Sequence, residues 1–387
     1  MEKRINRESD IEISGVVTME KKTIVLVAIV AAIIVIAGVA AAFLMGKGES
    51  RKVVYYVNVK PNLMESWLEA NESDAYIAWE PFDSAAVVDG TGKILMWTNE
   101  IMPHHPCCVV VVAKGFLESD QGANLTLRLV AAHIKATEWI LDALAHKSEA
   151  NYTLLVNMAA DFTKRSSAVV TEALDHVEYG YTMNASFRDS LEQFTQMYMD
   201  DALITNESLN SRGYDSVADF IDSYVNGTYI DDAGTVGLFA TILNPTPIRL
   251  GYLVGDLHQM AQVVARNTSA FGGVSMFEDY GLDVTPALEG GYAAGGDEMT
   301  AFGLGEVDVG YLGAPPAIIN HINKNVDTVI VAQANSEGSA IVVSASSDVQ
   351  SLDDLVGRTV ATPSVSSIQH LLLKVALERR GIELVKG

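Results

Sequence analysis

The chain has 387 residues, 49% of them hydrophobic and only 19% charged, enough to bury a core serving more than one lobe. Its formal net charge of -23 argues against nucleic acid and anionic lipid as partners, because an acidic surface repels a polyanion, although it says little about the sign of a small ligand in a pocket. The two cysteines, Cys107 and Cys108, are adjacent and cannot build a disulfide framework. With no CxxC nearby they read as small buried residues, and neither a metal nor a cofactor is expected.

Residues 23–45, TIVLVAIVAAIIVIAGVAAAFLM, carry no charge. At ~1.5 Å per residue a helix of that length spans the ~30 Å hydrocarbon core, and it exceeds the ~7–15 apolar residues of a cleaved signal. We read residues 1–22 as a cytoplasmic N-terminus and 23–45 as a single-pass anchor in the cell membrane. Lys3, Arg4, Arg7, Lys21 and Lys22 precede the span, a bias that points the same way. Seven Asn-x-Ser/Thr sequons, at Asn71, Asn124, Asn151, Asn184, Asn206, Asn226 and Asn267, all fall on the side assigned to the exterior.

Beyond the span, VVYYVNV, YIAW and CCVVVVA are apolar runs of strand length, separated by turn signals such as Asp89-Gly90. Residues 123–225 read as helical, with amphipathic stretches around 151–162, 166–175, 186–203 and 215–225. AGTVGLFATILNPTP is a candidate linker. From Ile248 strands and helices alternate, which implies parallel sheets with right-handed crossovers. Such sheets bind ligands beyond the carboxyl ends of their strands, against helix N-termini.

Four strand-end junctions supply the candidate binding residues. They are Asp256, His258 and Gln259; Gly313, Ala314 and Pro315; Glu337, Gly338 and Ser339; and Thr362, Ser364, Ser366 and Ser367. Prolines at the start of the helix after Gly313 are expected to leave neighbouring N–H groups pointing outward. Hydroxyls and free N–H groups at the last junction suit an anion. Each junction alone also reads as a cap or turn. No P-loop, GxSxG or HExxH is present, so nothing in the motifs calls for an enzyme.

From Ile248 onward the chain resembles the nitrate/sulfonate/taurine class of ABC-transporter solute-binding proteins, a family that also contains thiamine-pyrimidine synthases. RLGYLVGDLHQMA, FEDYGLDV, GEVDVGYLGAPPAI, VAQANSEGSAIVV and LDDLVGRTVATPSVSSIQHLLLKVALERRGI carry the resemblance. DAYIAWEPF, GKILMWTNEI and HPCCVVVVAKGFL resemble the rest of that family, but in the opposite order along the chain. We read this as circular permutation, with KVVYYVNVKP continuing the tail GIELVKG; two truncated tandem copies are the alternative. The resemblance implies an α/β, two-lobe, periplasmic-binding-protein-like (type II) fold. A first lobe would comprise 107–230 and 247–340, a second lobe 52–106 and 341–387, with 231–246 as linker. It also adds Trp79 as a flat wall and Glu80 as an acceptor to the binding residues. The implied function is capture of a small oxyanion or sulfonate-like solute by hinge closure, with an ABC permease and its ATPase as partners and no chemistry of its own. A ligand-sensing receptor without transport and a thiamine-pyrimidine synthase-like enzyme are the competing readings.

Overall fold

Periodicity of two over short apolar runs, then of three to four over longer ones, gives a mixed α/β chain. The computed structural model describes residues 51–239, 241–244 and 246–387. Among them no helix is long and apolar enough to cross a membrane. The expected span at 23–45 lies outside the described residues.

The strands are β1 (Val53–Asn58), β2 (Ala75–Trp79), β3 (Gly92–Trp97), β4 (Cys108–Ala113), β5 (Val177–Tyr179), β6 (Ile248–Tyr252), β7 (Val284–Pro286), β8 (Val309–Gly313), β9 (Thr328–Gln333), β10 (Asn335–Glu337), β11 (Ser339–Ser344), β12 (Thr359–Thr362) and β13 (Glu383–Lys386). One sheet has the order β7-β6-β8-β4-β9 and another β13-β1-β12-β2-β11-β3. A two-stranded pair, β10 with β5, lies apart. This arrangement is consistent with a two-lobe binding protein, and we call the sides of the five- and six-stranded sheets the first and second lobes.

The two sheets share a design. Each has a parallel run, β7-β6-β8 or β13-β1-β12-β2, followed by a single strand antiparallel to both its neighbours. That reversed strand, β4 in the first lobe and β11 in the second, enters directly from the other lobe. The chain thus passes between lobes at residues 98–107 and 334–338. Both ends of the described chain meet in the second lobe, where β1 lies between β13 and β12.

The tail does not run in line with β1. It pairs beside it in parallel, Val53 opposite Glu383 and Tyr56 opposite Lys386, and the Gly387 N–H donates to the Tyr56 carbonyl at 2.9 Å. Side-by-side pairing satisfies an edge that an in-line junction would leave open, and Leu384 packs onto the core.

Helices cover the sheets because their apolar residues recur every three or four positions. In Gly122–Ala145 the buried face runs through Leu125, Leu129, Ala132, Ala136, Ile140 and Ala143. In Ala185–Asp200 it runs through Phe187, Leu191, Phe194 and Tyr198, with the Asn184 side chain capping the Phe187 N–H at 3.0 Å. A short helix, Thr228–Asp232, leads into the expected linker, which continues through a 3-10 turn, Ala233–Thr235. There the Phe239 and Leu243 N–H groups donate to the Asp279 and Gly281 carbonyls.

Candidate functional site

A cavity of about 40 Å³ lies where the lobes meet. Its first-lobe side is formed by Cys107, Cys108, Leu253, Asp256, His258, Ala294, Gly295, Gly296, Gly313 and Pro316, and its second-lobe side by Trp79, Pro363, Ser364, Ser367, Ile368 and Gln369.

Three helices begin on it. Ala294, which precedes helix Gly295–Gly303, has extended backbone and makes no side-chain cap. The first two N–H groups of that helix, on Gly295 and Gly296, therefore have no intrahelical acceptor. Ser367 caps helix Ile368–Glu378 by accepting from the His370 N–H at 3.2 Å, which leaves the Ile368 and Gln369 N–H groups as its outermost donors. The third helix, Ala314–Lys324, differs from expectation. Ala314 donates its N–H to the Cys107 carbonyl at 2.8 Å, and Pro315 and Pro316 have none to give. It lends the cavity its dipole and no donor.

Trp79 adds a fifth donor. It is 7% exposed, it lines the cavity, and its indole N–H has no partner in the protein. An indole donor buried without an acceptor is costly, so a ligand acceptor at this position would recover that energy.

The first-lobe wall carries charge. Asp256 accepts from the His258 N–H at 3.0 Å and from the Gln259 side chain at 3.1 Å, while Gln259 Oε1 accepts from the Leu253 N–H at 2.8 Å. His258 Nδ1 faces Cys107 Sγ at 3.2 Å, and its Nε2 donates to the Gly338 carbonyl at 2.8 Å. Burial opposes a charge on His258, but the fields of Cys107 and Asp256 raise its pKa to about 10. A hydrogen bond from Cys108 and the nearby imidazole bring Cys107 down to about 5 against burial. Burial pushes Asp256 up to about 6, with His258 acting the other way. On the second-lobe side, burial lowers His370 to about 4 and keeps it neutral.

Of the residues singled out in the sequence, Trp79, Asp256, His258, Gly313, Ser364 and Ser367 share this cavity. Gln259 stands behind Asp256. Ala314 and Pro315 are buried behind Pro316, which takes the lining position. Thr362 is buried against Asn58 and His370, and Ser366 bonds Ser364 and offers its carbonyl to Tyr198. Glu80 does not reach the cavity as an acceptor, because both its oxygens are taken by the Ser84 N–H and hydroxyl. Glu337, Gly338 and Ser339 form a different hollow on the interlobe crossing. Glu337 turns toward the His104 N–H at 2.7 Å, and Gly338 supports the site from behind through its carbonyl. Sequence reasoning did not select Gly295 and Gly296, although a Gly-Gly pair opening a helix signals close approach of another group to backbone.

Two family models match parts of the chain. The NMT1-like family model matches residues 36–154, and a model described as ABC transporter, phosphonate, periplasmic substrate-binding protein matches residues 280–387. No curated protein and no solved structure matches the chain. The first matched segment contains β1 to β4 and the second β7 to β13, so between them they reach both sheets.

Proposed function

We propose, from the premise that this chain is an ABC-transporter solute-binding protein of the nitrate/sulfonate/taurine type, that it captures a small solute with an oxyanion head group for import. The observation that carries this reading is the meeting of two helix N-termini, one from each lobe, with an unpartnered indole N–H at a single cavity. A negative group at a helix start gains ~0.3–1 kcal/mol, and up to ~2 when partly buried. Two such termini and an indole bond of ~0.5–1.5 kcal/mol together supply about 1–5 kcal/mol toward binding.

Because donors come from both lobes, only a closed form makes every contact, and the solute draws the lobes together. Residues 52–106 with 341–387, and 107–230 with 247–340, are the proposed lobes, joined through 231–246. Support for circular permutation comes from the reversed order of the family-like segments, together with a second-lobe sheet that draws strands from both ends of the described residues. A permease and its ATPase would receive the loaded form on the extracytoplasmic side, and the charge-free stretch 23–45 would tether the binder beside them. None of the seven sequon asparagines is buried, which suits an exterior location.

The test is a thermal-shift screen of the full chain with nitrate, methylphosphonate, phosphate and short alkylsulfonates. A solute at 100 times its dissociation constant should add ~2.7 kcal/mol of stability. Trp79→Phe should lower affinity about tenfold by removing one donor, and Ser364→Ala with Ser367→Ala should remove the shift. A shift that survives all three changes would refute the cavity as the binding site.

A further inference from the structure

The floor of the cavity holds a second recognisable constellation. Cys107 and Cys108 stand at the start of β4, and Asp256 and His258 lie in the turn that follows β6. All four are buried, and both thiols are free. The sulfur atoms of Cys107 and Cys108 and a ring nitrogen of His258 lie within 4.8 Å of one another. Cys107 Sγ is 3.2 Å from His258 Nδ1, Cys108 Sγ is 3.7 Å from Asp256 Oδ2, and His258 Nδ1 is 3.6 Å from Asp256 Oδ1.

Those separations resemble the edges of a coordination tetrahedron. With metal–sulfur bonds near 2.3 Å and metal–nitrogen or metal–oxygen bonds near 2.0–2.2 Å, donors at tetrahedral corners stand about 3.3–3.7 Å apart. Two of the separations, 3.6 and 3.7 Å, fall in that range and the third, 3.2 Å, just below it, with Asp256 presenting Oδ1 to His258 and Oδ2 to Cys108. We infer that Cys107, Cys108, Asp256 and His258 form a binding site for a divalent transition-metal ion of the zinc class.

The atoms behind the donors support the assignment. A metal-binding imidazole holds its other N–H on a carbonyl or carboxylate, which fixes the ring and leaves one nitrogen for the ion. His258 Nε2 does this on the Gly338 carbonyl at 2.8 Å. Gln259 Nε2, 3.1 Å from Asp256 Oδ2, orients the carboxylate, and Gln259 is itself fixed by the Leu253 N–H. Gly338 has no side chain to displace the ring, since a Cβ there would come 2.3 Å from His258 Nε2. Two thiols, an imidazole and a carboxylate favour zinc-like ions, whereas magnesium and calcium take oxygen ligands. Every donor belongs to the first lobe, so this inference does not depend on solute capture or closure.

Cobalt(II) is the probe, because thiolate ligation gives it an intense charge-transfer absorption in the near ultraviolet. The full chain, reduced and freed of metal, should bind cobalt with that absorption and give it up to zinc. Cys107→Ser and Cys108→Ser should each weaken or remove the band. Gln259→Ala, which leaves all four donors, should retain the band with affinity lowered about 10–100-fold. Trp79→Phe, which removes one proposed solute donor, should leave cobalt binding unchanged. A wild-type chain that binds cobalt without a thiolate band, or not at all, would overturn the assignment, as would a band of full strength in both cysteine variants.

Discussion

The two lobes solve the same topological problem with opposite chemistry at the cavity. Each builds a parallel run, accepts one reversed strand from the other, and starts a helix at the shared gap. The first-lobe wall is charged, with Asp256, His258 and Cys107 locked in a buried network. The second-lobe wall is neutral, made of an indole, two serines and the N–H groups of a helix start. Even the histidines diverge: His258 is driven up to about 10 by its acidic neighbours, while burial takes His370 down to about 4. The difference teaches a division of labour. One lobe holds a buried, hydrogen-bonded cluster of titratable groups, and the other closes over it with neutral donors.

The strongest way to break that contrast is at its seam. The Gly338 carbonyl receives both the first-lobe His258 ring and the second-lobe Glu80 N–H, at 2.8 and 2.9 Å. Gly338 has φ +77° and no room for a methyl group, so Gly338→Ala should destabilise the protein by about 3 kcal/mol or more. Chemical denaturation would reveal this as a lowered midpoint; an unchanged midpoint would mean that the seam tolerates a side chain.

A smaller effect should come from Glu80 behind the neutral wall. Burial raises its pKa from 4.5 to about 7, so the folded state holds this proton more tightly than the unfolded chain does. Stability should therefore be greatest below about 4.5 as far as this group is concerned, and fall as pH rises through about 7. Glu80→Gln should flatten part of that fall, by up to about 3 kcal/mol at high pH. Denaturation curves from about pH 4.5 to 7 measure it, and equal slopes for both proteins would count against a neutral Glu80.

The smallest predicted change sharpens the account of closure. Tyr198, from a first-lobe helix, donates its hydroxyl proton to the Ser366 carbonyl of the second lobe at 2.8 Å. Lys374 and Asp201 form an ion pair across the same gap. Tyr198→Phe should cost the closed form about 1 kcal/mol, an affinity loss of about fivefold by calorimetry. No loss would mean that this contact forms equally in the open state.

Much of this fold was legible because its signals are local. Strand-length apolar runs from Ile248 and the helical spacing of Gly122–Ala145 each report on a few neighbouring residues. Asp256, His258, Ser364 and Ser367 could be selected because ligands gather at strand ends, and Trp79 through the family resemblance. What stayed hidden depends on distant partners. Nothing near Cys107 announces His258, which is 151 positions away, and nothing near Glu80 announces that Ser84 consumes its carboxylate. The proline-rich turn misled for a different reason. It marks a helix start correctly, yet its first N–H is spent on Cys107 and the next two residues have none. The tail is a third case, because ELVK can extend a strand or pair beside it, and only the open edge of β1 decides.

Closure on a solute is the central claim, and an interlobe distance tests it most directly. Spin labels at the exposed positions Leu63, in the second lobe, and Leu304, in the first, would report that distance in the full chain. Addition of the solute found by thermal shift should shorten and narrow the distance distribution. A distribution that stays the same, while calorimetry registers saturated binding, would contradict the account.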